Sequence, residues 1–97
     1  MAQEGVKSYI KHPAEIRPFY VYWHNQLGAA NISTSTWSVS GPDSSLTVNS
    51  SNFDDKIATA FLEGGTAGET YKIENKIGRS TDVAQLVWEF NVRIIDN

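Results

Sequence analysis

The sequence predicts an all-β protein built as an antiparallel β-sandwich, and three observations support this fold class. Short runs of β-prone residues are separated by turn signals about every 8–12 residues, a spacing typical of sandwiches and barrels. No amphipathic helical pattern of about ten or more residues occurs, which excludes a fold of alternating strands and helices. Residues 86–95 alternate between an apolar face and a mixed face, as a half-buried strand does. A chain of 97 residues is long enough for one such domain.

The first 18 residues differ from the rest of the chain. They contain Pro13 and Pro18, several charges and no clear hydrophobic period. Because proline fixes φ and removes a backbone donor, we expect residues 1–18 to form an extended N-terminal arm and residues 19–97 to form the sandwich. A helical turn within residues 13–17 remains an alternative, since proline is tolerated at the first helical position.

Six strands are predicted in the sandwich domain, at residues 19–23, 32–39, 46–48, 56–62, 69–77 and 86–95. In the first strand, alternation places Tyr20 and Tyr22 opposite a face that we expect to be buried, formed by Phe19, Val21 and Trp23. In the last strand, the predicted buried row comprises Leu86, Trp88, Phe90, Val92 and Ile94. A helix remains an alternative at residues 56–62, because that run contains two alanines.

The glycine-rich segment EGGTAGETYKI, residues 63–73, indicates a particular kind of sandwich. In immunoglobulin-like sandwiches a tyrosine near the start of strand F bonds through its hydroxyl to backbone a few residues upstream. Tyr71 and Gly68 have the shape of that corner, and Ile73 takes the place of the second cysteine. We therefore predict an immunoglobulin-like sandwich in which the Tyr71 hydroxyl bonds to backbone near Gly65–Gly68. A glycine-rich hairpin in which the tyrosine only packs is the alternative.

Two tryptophans are candidates for the buried tryptophan of such a sandwich. Trp37 lies in the second predicted strand, and Trp88 lies in the last. The chain has no cysteine, so an aliphatic core has to replace the disulfide that many immunoglobulin-like domains contain.

Composition and motifs argue against catalysis and against several classes of partner. The net charge is −3, and no basic face is present for nucleic acid. No apolar run approaches the length of about 18 residues that a membrane span requires. The available bases, His12 and His24, are both expected at the surface, and no nucleophile elbow or phosphate-binding loop occurs. Asp54 and Asp55 lack calcium-loop spacing. We expect a non-enzymatic protein with no catalytic residue, cofactor or metal.

Candidate partner-binding residues lie in two places. Tyr20 and Tyr22 point away from the predicted core. Three alternatives are open for this exposed pair: it contacts a partner protein, it binds a sugar, or it contacts nothing. The N-terminal arm has too few apolar residues to order itself, so we expect it to dock on its own sandwich or on a partner. Its candidate contact residues are Lys7, Tyr9, Ile10, Lys11 and Arg17.

Several segments resemble a group of small immunoglobulin-like virion proteins of tailed bacteriophages, which includes fiber–tail adaptors and head decoration proteins. The resemblance covers roughly residues 19–95, and its segments are STSTWSV, LTVNSSNFDD, FLEGGTAGETYKIENKI and FNVRI. The first strand departs from the group, because Tyr22 precedes Trp23 where an acidic residue is expected.

This resemblance implies a structural role in the virion, either as a capsid decoration or cement protein or as a fiber–tail adaptor. It implies other virion proteins as partners, capsid or tail and fiber subunits, and a multi-copy or homo-oligomeric assembly without nucleic acid or membrane. The chain begins with no apolar segment typical of a signal peptide, so we expect synthesis in the host cytoplasm before incorporation. A carbohydrate-binding β-sandwich module is the alternative from another functional class.

Overall fold

A computed structural model describes residues 7–96 of the chain. These residues form strands β1 Lys7–Lys11, β2 Ile16–Tyr22, β3 Ile32–Ser40, β4 Leu46–Phe53, β5 Ile57–Gly64, β6 Thr70–Arg79 and β7 Gln85–Ile94, with a short helix α1 His24–Leu27 between β2 and β3. The all-β prediction is confirmed, and the helix considered at residues 56–62 is replaced by β5. The strand order is β1-β7-β6-β3 in one sheet and β2-β5-β4 in the other. The two sheets pack face to face as a sandwich.

One strand pair departs from the predicted antiparallel pattern. β1 runs parallel to β7, with Lys7 opposite Phe90 and Lys11 opposite Ile94. The other strand pairs in residues 7–96 are antiparallel. The physical reason is that β1 and β2, although consecutive, belong to different sheets. No hairpin therefore sets the direction of β1 against its neighbour.

Residues 7–18 of the expected extended arm form two strand segments joined by a turn. Residues 7–11 form β1, and β2 begins at Ile16, before the expected domain boundary at residue 18. A turn joins them, in which the Glu15 amide donates to the His12 carbonyl at 3.0 Å and the His12 amide donates to Glu15 Oε1 at 2.8 Å. Pairing of β1 with β7 and of β2 with β5, both distant in sequence, orders this segment without any local hydrophobic period. Residues 1–6 of the expected arm lie outside the described residues.

The core lies between the sheets and follows the predicted alternation. Phe90, Val92 and Ile94 are buried, whereas Val87 and Arg93 on the opposite face are exposed. The predicted register of the last strand is therefore confirmed, with Leu86 and Trp88 partly buried against the same core. The other sheet contributes the predicted row Phe19, Val21 and Trp23, together with Ala58, Ala60 and Leu62 of β5.

The fully buried tryptophan is Trp23, which corrects the choice between Trp37 and Trp88. Trp23 is 1% exposed, and its indole Nε1 donates to Asn75 Oδ1 at 2.9 Å. The Asn75 amide in turn donates to Ser35 Oγ and to the Thr36 carbonyl, which satisfies a buried polar group. Trp37 and Trp88 are only partly buried. The structure selects Trp23 because the buried Asn75 gives its indole a partner across the two sheets.

The glycine-rich corner brings Tyr71 to the backbone, as its spacing predicts. Tyr71 is fully buried, and its hydroxyl accepts a hydrogen bond from the Thr66 amide at 3.0 Å. The same hydroxyl donates to Asp43 Oδ1 at 2.6 Å. Gly65 and Gly68 have φ of 103° and 89°, a backbone conformation that residues with a Cβ rarely adopt. The corner thus connects β5 to β6 and ties the turn between β3 and β4 to the same hydroxyl.

Candidate partner-binding surface

A cleft of about 520 Å³ opens between β1 and β2, the edge strands of the two sheets. Its lining consists of Ser8, Tyr9, Ile10, Arg17, Pro18, Phe19, Tyr20, Tyr22 and Phe90. Five of the seven candidate partner-binding residues are therefore brought together in one place. At the opposite side of the sandwich, β3 and β4 are joined directly by residues 41–45.

Three aromatic rings form the apolar part of this cleft. The ring centroid of Tyr9 lies 5.9 Å from that of Phe19 and 5.4 Å from that of Phe90, in edge-to-face arrangements. Phe19 and Phe90 stack across the two sheets at 5.8 Å. Tyr9 retains 42% exposure, so the cleft presents an aromatic surface supported by the core. Such rigid aromatic side chains are enriched in protein interfaces.

The outer face of the β2-β5-β4 sheet continues this apolar surface, and we call it the aromatic face. Its residues are Ile16, Pro18, Tyr20 and Tyr22 of β2, Ile57, Thr59, Phe61 and Glu63 of β5, and Thr47, Ser50 and Asn52 of β4. Tyr20 and Tyr22 are 50% and 62% exposed. Glu63 is the one charged side chain among these residues, and its carboxylate accepts the Asn49 side-chain amide at 3.0 Å.

The outer face of the β1-β7-β6-β3 sheet has the opposite character. The register of β6 with β7 places five charged side chains on that face, at Lys72, Glu74, Lys76, Glu89 and Arg93. Lys72 and Glu89 form an ion pair at 3.5 Å. A charged outer face is typical of a solvated sheet, so the contrast favours the aromatic face and the cleft as the surface for a partner.

Lys11 does not belong to this surface, which corrects its assignment as a partner contact. It is 1% exposed, and its Nζ donates to the Gly64 carbonyl at 2.8 Å and to the His12 carbonyl at 2.9 Å. Burial lowers the pKa of Lys11, while Glu15 and Glu63 oppose that shift. Its ammonium group joins the end of β5 to the turn after β1. Lys7, at the start of β1, is exposed but does not line the cleft.

The histidine side chains of the described residues make local contacts with their neighbours. No group of three or more His, Asp or Glu side chains suited to a metal occurs in residues 7–96. The His12 imidazole lies 3.2 Å from Asp96 and accepts the Ala14 amide, so it has a structural role in the turn. His24 stacks on Tyr22 with an interplanar angle of 20°. No helix in the described part of the chain is long and apolar enough to cross a membrane.

Comparison with known proteins assigns the chain to a family. The family model for the podophage GP4 fiber-tail adaptor protein gp77 matches residues 11–89 of the 97. The chain belongs to the gp77 fiber-tail adaptor family. The match confirms the resemblance to phage virion proteins, and it identifies a structural family of the phage particle. No curated protein and no solved structure matches the chain.

Sequence reasoning missed four of the residues that line the cleft, Ser8, Pro18, Phe19 and Phe90. Phe90 was expected in the core, and only the pairing of β1 with β7 shows that it also borders an opening. The sequence places Pro18 at the end of the expected N-terminal arm, although proline is also typical of edge strands. That preference is the one signal that could have placed β2 at a sheet edge.

Proposed function

We propose that this protein is a non-enzymatic structural component of a podophage virion that joins tail and fiber proteins. The observation that supports this proposal most is the cleft with its adjoining aromatic face, in a chain whose family is described as a fiber-tail adaptor. Tyr20 and Tyr22 are 50% and 62% exposed, and a partner protein that covers their rings removes apolar surface from water. A capsid decoration role is less well supported, because the family description refers to tail and fiber.

We propose further that the sandwich is immunoglobulin-like. The order β2-β5-β4 corresponds to strands B, E and D, and the order β3-β6-β7 corresponds to C, F and G. Tyr71 is the second residue of β6, the position expected for the corner tyrosine of strand F. In this proposal β1 extends the C-F-G sheet beside strand G and leaves strand B at the edge of the other sheet.

A sugar-binding role receives less support from the same surface. A sugar platform needs exposed rings that lie in one plane, whereas the rings of Tyr20 and Tyr22 are inclined by 47° with centroids 6.4 Å apart. Tyrosine hydroxyls that stay wet while the rings are covered suit a protein partner. We therefore propose protein subunits of the virion as partners, contacted by several copies of this chain. The net charge of −3 supports a role without nucleic acid.

The proposal is tested by adding purified protein back to particles of a phage that lacks it. Tyr20→Ser combined with Tyr22→Ser should reduce attachment of the protein and assembly of fibers, because two aromatic anchors are removed. Val87→Ser is the matched control, since Val87 is 48% exposed on the charged sheet. Attachment unaffected by the tyrosine changes but lost with Val87→Ser would place the interface on the other sheet. Binding of the wild-type protein to glycans instead of to particles would support the sugar-binding alternative.

A further inference from the structure

The cleft is bordered by strand edges as well as by side chains. Side chains alternate along a strand, yet the consecutive residues Ser8, Tyr9 and Ile10 all line it, and so do the consecutive residues 17–20. Consecutive lining residues mean that the main chain of each strand faces the opening. Within residues 7–96, β1 and β2 each pair with a strand on one side only. Two strand edges from different sheets therefore face one aromatic groove.

The backbone groups that face the opening of β1 can be assigned from its register. The Ile95 amide donates to the Lys11 carbonyl at 2.9 Å, so the backbone of Lys11 points toward β7. In a parallel pair, alternate residues direct both their N–H and C=O groups to the same neighbour. Lys7, Tyr9 and Lys11 thus bond to β7, and Ser8 and Ile10 direct their N–H and C=O groups to the open edge.

The edge of β2 is less suited to adding a strand. The Trp23 amide donates to the Lys56 carbonyl at 2.8 Å, so the alternate residues Val21, Phe19 and Arg17 bond to β5. Pro18 and Tyr20 then face the open side, and Pro18 has no N–H to donate. Proline at an outward position is a common protection of an edge strand. β1 has no proline, so its open edge keeps all its donors.

We propose that an extended segment of a partner virion protein lies in the cleft and pairs with the open edge of β1 as an additional strand. This inference rests on the proposed structural role and specifies its contact. Ser8 and Ile10 would provide two donors and two acceptors, and every second side chain of the segment would lie on the aromatic rings. Five residues suffice to match β1. Apolar residues at alternate positions are the chemistry that this groove recognises.

The positive charges beside the cleft indicate which residues the partner segment contains in addition to apolar ones. Arg17 lines the cleft and forms an exposed ion pair with Glu15 at 3.6 Å, and Lys7 begins the edge strand. An acidic residue beside the apolar positions complements these two cations. A second copy of this chain fits less well. β1 of a second copy contains two lysines and no acidic residue, so it offers no partner for Lys7 or Arg17.

Hydrogen exchange with the protein free and bound to particles lacking it tests the inference at single residues. We expect the amides of Ser8 and Ile10 to exchange at least about tenfold more slowly when bound, because they gain hydrogen-bond partners. The Tyr9 amide, already bonded to β7, should change much less. Unchanged exchange at Ser8 and Ile10 in bound protein would overturn the added strand while leaving the adaptor role intact. Protein that does not attach to particles at all would overturn both.

Two substitutions provide an independent measurement of attachment. Ser8→Pro removes an outward donor without removing a bond to β7, so thermal unfolding should stay close to wild type while attachment weakens about tenfold or more. Arg17→Glu should also weaken attachment, whereas Lys76→Glu makes the same charge change on the charged outer sheet and should not. Full attachment of both Ser8→Pro and Arg17→Glu would refute the proposal. If Ser8→Pro unfolds, the exchange experiment and Arg17→Glu still decide.

Discussion

Removal of the Tyr71 hydroxyl should destabilise the fold by an amount that the corner geometry predicts. Tyr71→Phe keeps the buried ring, so the change isolates the hydroxyl. That hydroxyl accepts from the Thr66 amide at 3.0 Å, donates to Asp43 Oδ1 at 2.6 Å and lies 3.0 Å from Ser45 Oγ. The loss of one typical hydrogen bond costs about 0.5–1.5 kcal/mol net. Asp43 is solvent-accessible and can be rehydrated, so the Thr66 amide accounts for most of the cost.

We therefore expect Tyr71→Phe to lower the free energy of unfolding by about 0.5–1.5 kcal/mol. In a domain of this size each kcal/mol shifts the Tm by about 4–8 °C, which thermal unfolding by circular dichroism detects easily. Tyr20→Phe is the matched control, because Tyr20 is 50% exposed and such changes stay within about 0.5 kcal/mol. A Tyr71→Phe variant as stable as the control would refute the reasoning that the hydroxyl connects the β3–β4 turn to the corner.

Three further predictions concern the same fold. Hydrogen bonds from Tyr71, then Ser45 and Thr66, hold the pKa of Asp43 well below its usual range. The ionised Asp43 carboxylate therefore stabilises the fold above pH about 4, and this stabilisation is lost as the pH falls toward the pKa of the folded state. Asp43→Asn should lower the free energy of unfolding at pH 7, and its difference from wild type should be smaller at pH 2, as measured by urea unfolding. Gly65→Ala should lower the Tm, because φ at Gly65 is 103° and an added Cβ would lie 2.6 Å from Ile94 Cδ1. Gly68→Ala is the control for φ alone, so equal Tm losses in the two variants would contradict a role for the contact with Ile94. Phe90→Ala should cost about 3–5 kcal/mol in the same assay, and a loss below about 1 kcal/mol would contradict its central place in the core.

Local patterns predicted the parts of the fold that depend on alternation. The buried row of β7 follows directly from its period-two sequence, and the same rule separated Phe19, Val21 and Trp23 from Tyr20 and Tyr22. The Tyr71 contact could be predicted because its geometry depends on residues close in sequence. In each case the information lies within about ten residues of chain.

Features set by distant pairing could not be predicted in this way. β1 has no hydrophobic period, and its order depends on hydrogen bonds to a strand more than 80 residues later. A lysine in a polar segment such as that around Lys11 is expected at the surface, yet the carbonyls of Gly64 and His12 accept its ammonium protons and make its burial possible. The hydrogen-bond partner of the buried Trp23 indole is Asn75, 52 residues away, which no local pattern indicates. The cleft likewise exists only because β1 and β2 lie at the same side of two different sheets.

Cross-linking from the aromatic face tests the central claim most directly. A photoreactive phenylalanine analogue replaces Tyr22 in one protein and Val87 in another, and each protein is incorporated into particles before irradiation. The adaptor role with a partner on the aromatic face predicts covalent products between position 22 and a tail or fiber subunit, with little product from position 87. Products from position 87 alone, or products with capsid subunits instead, would contradict it.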